Sequence, residues 1–340
     1  MLYMIGKRSI LMLGMLLGLL IITFTISHVA PGDPAALAAG LAAGPNATQE
    51  MIDQIREEYG FDKPLVQQFF IYVRGIFEGN LGRSVYTTRP VAQDLMVYFP
   101  ATLELVLYSI LFAIVLGIPM GVISAVKQNG WVDNIVRIIS SSGVGLPMFW
   151  LGLMLQLYFG LQLGWFPLGG RLDLMTDPPT TITGMYTIDA LLTLRFGVFV
   201  EALHYMVLPA VALSFPALAS IVRVNRAEMI ETLSLDYVTN ARAQGISKFR
   251  MIAIYALKNA MLPTLAIIGL RFGWMLGGTV LIESVFDWPG VGLYALQAIT
   301  ASDFEPVMAV TLILGAWFML TNFLIDIIYG ILDPRVRARA

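Results

Sequence analysis

The chain has 340 residues, 57% hydrophobic and 13% charged, with a mean hydropathy of +0.75, an apolar share that excludes a soluble enzyme. Its formal charge of −2, from 21 Lys plus Arg against 23 Asp plus Glu, provides no positive field to hold nucleic acid. Zero cysteines and two histidines exclude disulfides, thiolate metal sites and thiol nucleophiles.

A helix needs about 20 mostly apolar residues to cross about 30 Å of hydrocarbon. Six stretches meet that requirement: Ser9 to Val29, Ala101 to Val126, Ile135 to Leu163, Ala202 to Val222, Pro263 to Leu281 and Val307 to Tyr329. The first follows Lys7 and Arg8, but it is longer than the apolar region of a cleavable signal. Ser27-His28-Val29-Ala30-Pro31 also lacks a small-x-small cleavage site, so this stretch is expected to stay as an anchor. Pro119, Pro147, Pro209 and Pro216 are expected to kink spans from within, because neighbouring helices can satisfy the freed backbone groups.

Residues 31–100 form a long segment after the first span. Asn46 is predicted to cap a helix that contains Met51, Ile52, Ile55 and Tyr59 and stops at Gly60. Asp62 and Pro64 suit the first turn of a second helix, with Leu65, Phe69, Tyr72 and Ile76 on one face. These amphipathic faces are expected to pack on the bundle, with docking of a soluble delivery protein as the alternative.

Residues 223–262 are too long and too patterned for a passive connection. The spacing predicts a helix capped by Asp236 and running from Tyr237 to Gln244. Gly245 is its left-handed stop, and Ser247 caps a second helix that runs toward Pro263. Small residues at Ala241, Ala243 and Gly245 let another surface approach closely, while Arg242, Lys248 and Arg250 offer charge. The plainer alternative is a solvated basic loop.

Charges inside spans usually face a partner or a polar cavity. Arg271 lies within the fifth span, Glu283 closes it, Asp326 is near the end of the sixth, and Glu104 opens the second. Arg271 reads either as an internal ion pair or as a pathway residue, and Glu283 is a second pathway candidate. Asp326 and Glu104 are expected to be structural, and His28 and His204 interfacial. Basic residues set orientation. The segments 1–8, 127–134, 223–262 and 330–340 together carry twelve, against two in 164–201 and 284–306. Both termini are therefore expected in the cytoplasm, and 31–100 outside.

Several stretches resemble one protein family. Asp236-Tyr237-Val238-Thr239-Asn240-Ala241-Arg242-Ala243-Gln244-Gly245 and Ala256-Leu257-Lys258-Asn259-Ala260-Met261-Leu262-Pro263 resemble the loop of permeases in binding-protein-dependent ABC importers, in their dipeptide, oligopeptide and nickel form. Pro31-Gly32-Asp33-Pro34, Gly79-Asn80-Leu81-Gly82-Arg83-Ser84, Pro100-Ala101-Thr102-Leu103-Glu104-Leu105, Phe286-Asp287-Trp288-Pro289-Gly290-Val291-Gly292 and Tyr329-Gly330-Ile331-Leu332-Asp333-Pro334-Arg335 resemble the B-type subunit of that family. Their order covers nearly the whole chain.

The resemblance implies an all-α integral membrane protein of six transmembrane helices. It divides into the first span (1–30), an extracytoplasmic helical segment (31–100) and a type I importer (MetI-like) permease core (101–340). It also implies, as partners, a second related permease, two cytoplasmic ATPase subunits or domains and an extracytoplasmic solute-binding protein, in a cell inner membrane. Asp236, Ala241, Arg242, Ala243, Gly245, Ser247 and Lys248 would form the ATPase-coupling loop, with no cofactor in this chain and with ATP and magnesium on the partner ATPases. The implied cargo is a dipeptide or oligopeptide; relatives move nickel chelates, glutathione or oligosaccharides. Two departures stand out. Thr239-Asn240-Ala241 replaces the family's Glu-Ala-Ala, and the spacing from Gly245 to Pro263 exceeds that of sugar importers.

No G-x-x-x-x-G-K-[ST] is present, so ATP hydrolysis is expected elsewhere. A proton-coupled secondary transporter would need a carboxylate near mid-membrane, and the candidates lie near span ends. An intramembrane protease would need a nucleophile-base or H-E-x-x-H motif that the sequence lacks.

Overall fold

In lipid, a backbone must close its hydrogen bonds within itself, and the computed structural model, which describes residues 2–29, 48–58 and 62–332, is built of helices joined by turns. In chain order they are α1 (Leu2–Val29), α2 (Gln49–Glu58), α3 (Leu65–Phe77), α4 (Val91–Val126), α5 (Trp131–Gly145) and α6 (Met148–Leu155), which continues as a wide π turn over Gln156–Gln162. Then come α7 (Tyr186–Leu192), α8 (Phe196–Leu233), α9 (Asp236–Ala243), α10 (Leu257–Val285), α11 (Val291–Thr300) and α12 (Phe304–Leu332). The predicted cap Asn46, the stop Gly60, the Pro31-to-Pro34 motif and the chain beyond Leu332 lie outside the described residues.

Among the described residues, five helices are long and apolar enough to cross a membrane; a bent pair makes a sixth. Several exceed their predicted lengths: α4 and α8 have 36 and 38 residues, so both project past the hydrocarbon. α4 also runs unbroken through the boundary expected at residue 100.

The prolines divide into two kinds. Pro119, Pro209 and Pro216 lie inside helices as expected. Pro147 does not kink a span: it stands at the N-cap of α6, and α5 and α6 meet at 109°. The residue before a proline avoids the helical region, and Leu146 is extended, with φ −87° and ψ 127°. α5 therefore ends there, and the stretch from Ile135 to Leu163 is a broken pair.

α8 is the central helix and packs on α4, α10, α5, α6 and α7. Its contact with α4 is close because α4 presents glycines. A Cβ at Gly117 would lie 3.0 Å from Ile221, and one at Gly121 only 2.7 Å from Asn225 Oδ1, the small-residue packing that joins helices in lipid. Leu105, Ala113, Leu213, Ile221, Leu276 and Trp288 fill the core.

α1 lies along α12 with Leu19 against Gly315 and Leu19, Ile22 and Thr23 beside Phe304 to Thr311. The start of α1 and the end of α12 therefore share the end of the bundle that carries α9. α3 packs on α1 as expected, with Phe24 5.3 Å from Phe69 and 6.0 Å from Tyr72, ring centre to ring centre. Leu65, assigned to that face from spacing, is exposed.

Candidate functional site

The stretch from 234 to 250 projects at one end of the bundle between two long helices. α9 ends in a Schellman motif: Gly245 N–H donates to the Arg242 carbonyl at 3.1 Å and Ile246 N–H to the Ala241 carbonyl at 3.2 Å. Gly245 carries φ +75°, which a side chain would strain. Two expectations change. Leu235, not Asp236, holds the N-cap position, accepting backbone N–H bonds from Val238 and Thr239; Asp236 sits in the first turn, where its charge favours the helix dipole. Ala241, expected at an approach surface, is buried with Val238 against this chain's own helices, so its small size serves internal packing.

What projects outward is Arg242, Ala243, Gly245, Ser247, Lys248 and Arg250. Ser247 occupies an N-cap position by backbone geometry and makes no side-chain cap bond. Between Lys248 and Arg250 stands Phe249, 82% exposed although Ile246 and Ile252 flank it at helical spacing, so the sequence pattern does not mark it as an outward-facing residue. Tyr237 braces the loop: Asn259 Nδ2 donates to its hydroxyl at 2.6 Å, and that hydroxyl donates to the Tyr255 carbonyl at 3.2 Å.

Above the loop, Arg226 of α8 grips Asp133 of α5 with both arms of its guanidinium, Nε to Oδ1 and Nη2 to Oδ2, each at 2.7 Å. Ser124 of α4 and the Asn129 N–H complete the shell around this fully buried carboxylate. On the other side, Asn225 donates to Thr264 of α10 at 3.1 Å. Residues on four helices are thus fastened together where α8 leaves for the loop.

Arg271 is half-buried in α10, its Nε enclosed without a hydrogen-bond partner, and Arg223 of α8 acts on it electrostatically. Glu283 is fully buried: Thr102 donates to Oε1 at 2.6 Å, and the Leu293 N–H donates to Oε2 at 2.9 Å. It anchors the first turn of α11. Glu104 pairs with Arg171 at 2.5 Å and accepts from the Thr187 N–H and hydroxyl at 2.7 and 2.6 Å, the structural role expected of it. His204 contacts the Trp165 carbonyl at 2.7 Å from an exposed position. The side chains of His28 and Asp326 lie outside the described residues.

At the end opposite the loop, Tyr98, Arg171, Asp173, Tyr186, Asp287 and Gln297 contribute to the lining of an open cavity of about 390 Å³. The Arg171 guanidinium stacks 3.6 Å from the Tyr186 ring centre. Asp189 fixes the adjoining turn. Burial pushes its carboxyl up, but the Thr183 hydroxyl and the N–H groups of residues 182 to 184 outweigh that and hold it below the usual carboxylate range.

Residues 117–338 match the family described as the binding-protein-dependent transport system inner membrane component, and residues 1–106 match its N-terminal counterpart. The chain belongs to this permease family. It is 44% identical over 319 residues to a probable D,D-dipeptide transport system permease protein of Escherichia coli K12, covering 94% of this chain and 93% of that one. It is 37% identical over 331 residues to a dipeptide transport system permease protein of Alkalihalophilus pseudofirmus, covering 97% and 98%. A glutathione transport system permease protein of Pectobacterium atrosepticum is 33% identical over 331 residues, with 97% of each chain covered. The permease is thus an all-α, multi-pass inner-membrane component of a binding-protein-dependent transport system, as the resemblance implied.

Proposed function

We propose that this permease is one of two related subunits that form the translocation pathway of an ATP-driven peptide importer. Two cytoplasmic ATPases work its loop, and an extracytoplasmic binding protein delivers the solute. The observation that carries this reading is the exposed loop, closed by the hydrogen bonds around Gly245 and set between the central helix α8 and α10, which packs on it. ATP closes the ATPases, α9 moves with them, and the pair of permeases exchanges an inward-open for an outward-open state. The energy comes from ATP's different affinity for the two states, not from chemistry on the solute. The start of α1 and the end of α12 lie on the loop's side, which we assign to the cytoplasm. The relatives named for dipeptides support peptide cargo, and the relative named for glutathione makes a small γ-linked peptide the second reading.

Purification from native membranes, with mass spectrometry of co-purifying chains and of any molecule on the soluble one, tests the assembly. A second permease, an ATPase and a peptide-loaded binding protein are expected. Recovery of the chain alone, active without ATP, overturns the proposal.

Arg242 and Phe249 are the contacts we assign to the ATPase, a cation beside an exposed aromatic. Arg242→Glu with Phe249→Asp is expected to cut ATP-driven uptake at least about tenfold, a loss of roughly 1.4 kcal/mol or more in coupling. The fold remains intact because both residues are exposed. Unchanged uptake places the dock elsewhere. Arg271 borders the pathway and favours solutes that bear a carboxylate, while Glu283 acts by holding α11. Arg271→Gln is expected to slow uptake of an anionic peptide several-fold more than that of a neutral one; equal slowing of both removes Arg271 from the pathway.

A further inference from the structure

A cavity of about 310 Å³ lies between α1, α11 and α12, at the end of the bundle away from the loop. Leu19 and Ile22 of α1, Ile299 of α11, and Val307 and Met308 of α12 give it apolar walls. Its two threonines direct their hydroxyl protons into their own helices, Thr23 to the Leu19 carbonyl at 2.8 Å and Thr311 to the Val307 carbonyl at 2.7 Å. Ile22 and Ile299 are 57% and 58% exposed, so the cavity is reached from the protein's surface, and Ile22 stands within a membrane span.

One end of the cavity is polar. Ser302 and Asp303 stand in the turn between α11 and α12, and both contribute to the lining. Asp303 is only 2% exposed. Its Oδ2 accepts from the Ser84 hydroxyl at 2.7 Å and from the Tyr86 N–H at 3.0 Å, but its Oδ1 is enclosed without a hydrogen-bond partner. An enclosed carboxylate left short of donors is costly, and its surroundings add to the cost: Asp94 acts on it electrostatically, and it acts on Glu305. Among the described residues, no lysine or arginine forms an ion pair with any of these three carboxylates. An apolar cavity that ends at uncompensated negative charge is complementary to an apolar chain carrying a cation that can donate hydrogen bonds.

We infer that this cavity holds one phospholipid with a primary ammonium head group, of the phosphatidylethanolamine class, its acyl chain between α1 and α12 and its ammonium on the Asp303 carboxylate. The bilayer supplies such a molecule at the right depth. Asp303 immediately precedes the span of α12, so it stands at the level of the head groups, while the walls of the cavity continue into the hydrocarbon. Ser302, exposed beside it, offers a hydroxyl to the lipid's phosphate. The lipid fastens α1 to the start of α12 by filling the space between them.

The test uses the intact complex, stripped of lipid in detergent and offered phosphatidylethanolamine, phosphatidylcholine and phosphatidylglycerol with identical acyl chains. Native mass spectrometry counts what is retained. Phosphatidylethanolamine is expected to be retained at least about fivefold over each of the others, because phosphatidylcholine has the same net charge but no N–H and phosphatidylglycerol has no cation. Asp303→Asn keeps an acceptor for Ser84 and Tyr86 but replaces the charge with an amide donor, and it is expected to erase the preference. Ile22→Trp, at an exposed wall position, is expected to fill the cavity and lower retention of phosphatidylethanolamine. The unaltered complex gives a check that needs no variant: phosphatidylethanolamine with a photoreactive acyl chain is expected to label residues 19–23 and 307–311. Absence of that label, the result if residues 30–47 of this chain or another subunit fill the cavity, overturns the site. Equal retention of the three lipids overturns it too, as does a preference that survives Asp303→Asn.

Discussion

Glu104→Ala is expected to destabilise the permease by about 3–5 kcal/mol, because it leaves the Arg171 guanidinium buried without its counter-charge. The pair is almost wholly enclosed, at 6% and 1% side-chain exposure. Glu104 also accepts from both the backbone and the hydroxyl of Thr187, so one deletion takes this acceptor from three donors on two separate segments and leaves Arg171 Nη2 only the Gly184 carbonyl. The effect is a matter of uncompensated charge rather than lost attraction, and a second substitution separates the two. Glu104→Met combined with Arg171→Met removes both charges and is expected to recover most of the loss, since a buried pair and a well-packed apolar replacement are often close in stability. Thermal unfolding midpoints of the detergent-solubilised protein, read by retention of a monodisperse peak, rank the variants. A single variant as stable as the parent, or a double variant no better than the single, contradicts this account.

The sequence makes the spans legible because their signal is local: about 20 apolar residues between polar flanks suffice, wherever the helix then packs. Gly245 is legible for the same reason, since a helix that ends in a left-handed residue announces itself by glycine and by the polar run before it. Contacts between segments distant in the chain are not. Glu104 meets Arg171 across 67 residues, and Glu283 meets Thr102 across 181. Nothing in the local sequence around Glu283 announces that Gly290 to Leu293 fold over it and that it holds the start of a neighbouring helix. Pro147 differs from Pro209 through what surrounds it. Pro209 lies in a helix buried against five others, while the helices on either side of Pro147 are short and turn apart. Ala241 shows the limit of residue-type arguments: small size permits close approach, but the partner turned out to be this chain itself.

Arg226→Met carries the second large expected effect and tests the proposed transmission of loop movement to the bundle. Asp133 is fully buried, and with Arg226 gone it keeps only Ser124 and the Asn129 N–H, so a loss of about 2–4 kcal/mol is expected. Stability alone does not separate a passive fastening from a coupling element. Adding Asp133→Asn to Arg226→Met removes the stranded charge and is expected to restore most of the stability without restoring the two-armed grip between α5 and α8. If that grip makes α5 follow α8 when α9 is pushed, the double variant stays stable, assembles with its ATPases and still transports poorly, while ATP hydrolysis continues without uptake. The α5–α6 pair, bent at Pro147, would then be the element that α8 carries with it, because a rigid link at its start and a hinge at its break are what a moving gate requires. Full transport by the stable double variant would reduce the Arg226–Asp133 pair to packing and leave the α8–α10 contact at Asn225 and Thr264 as the route from loop to bundle.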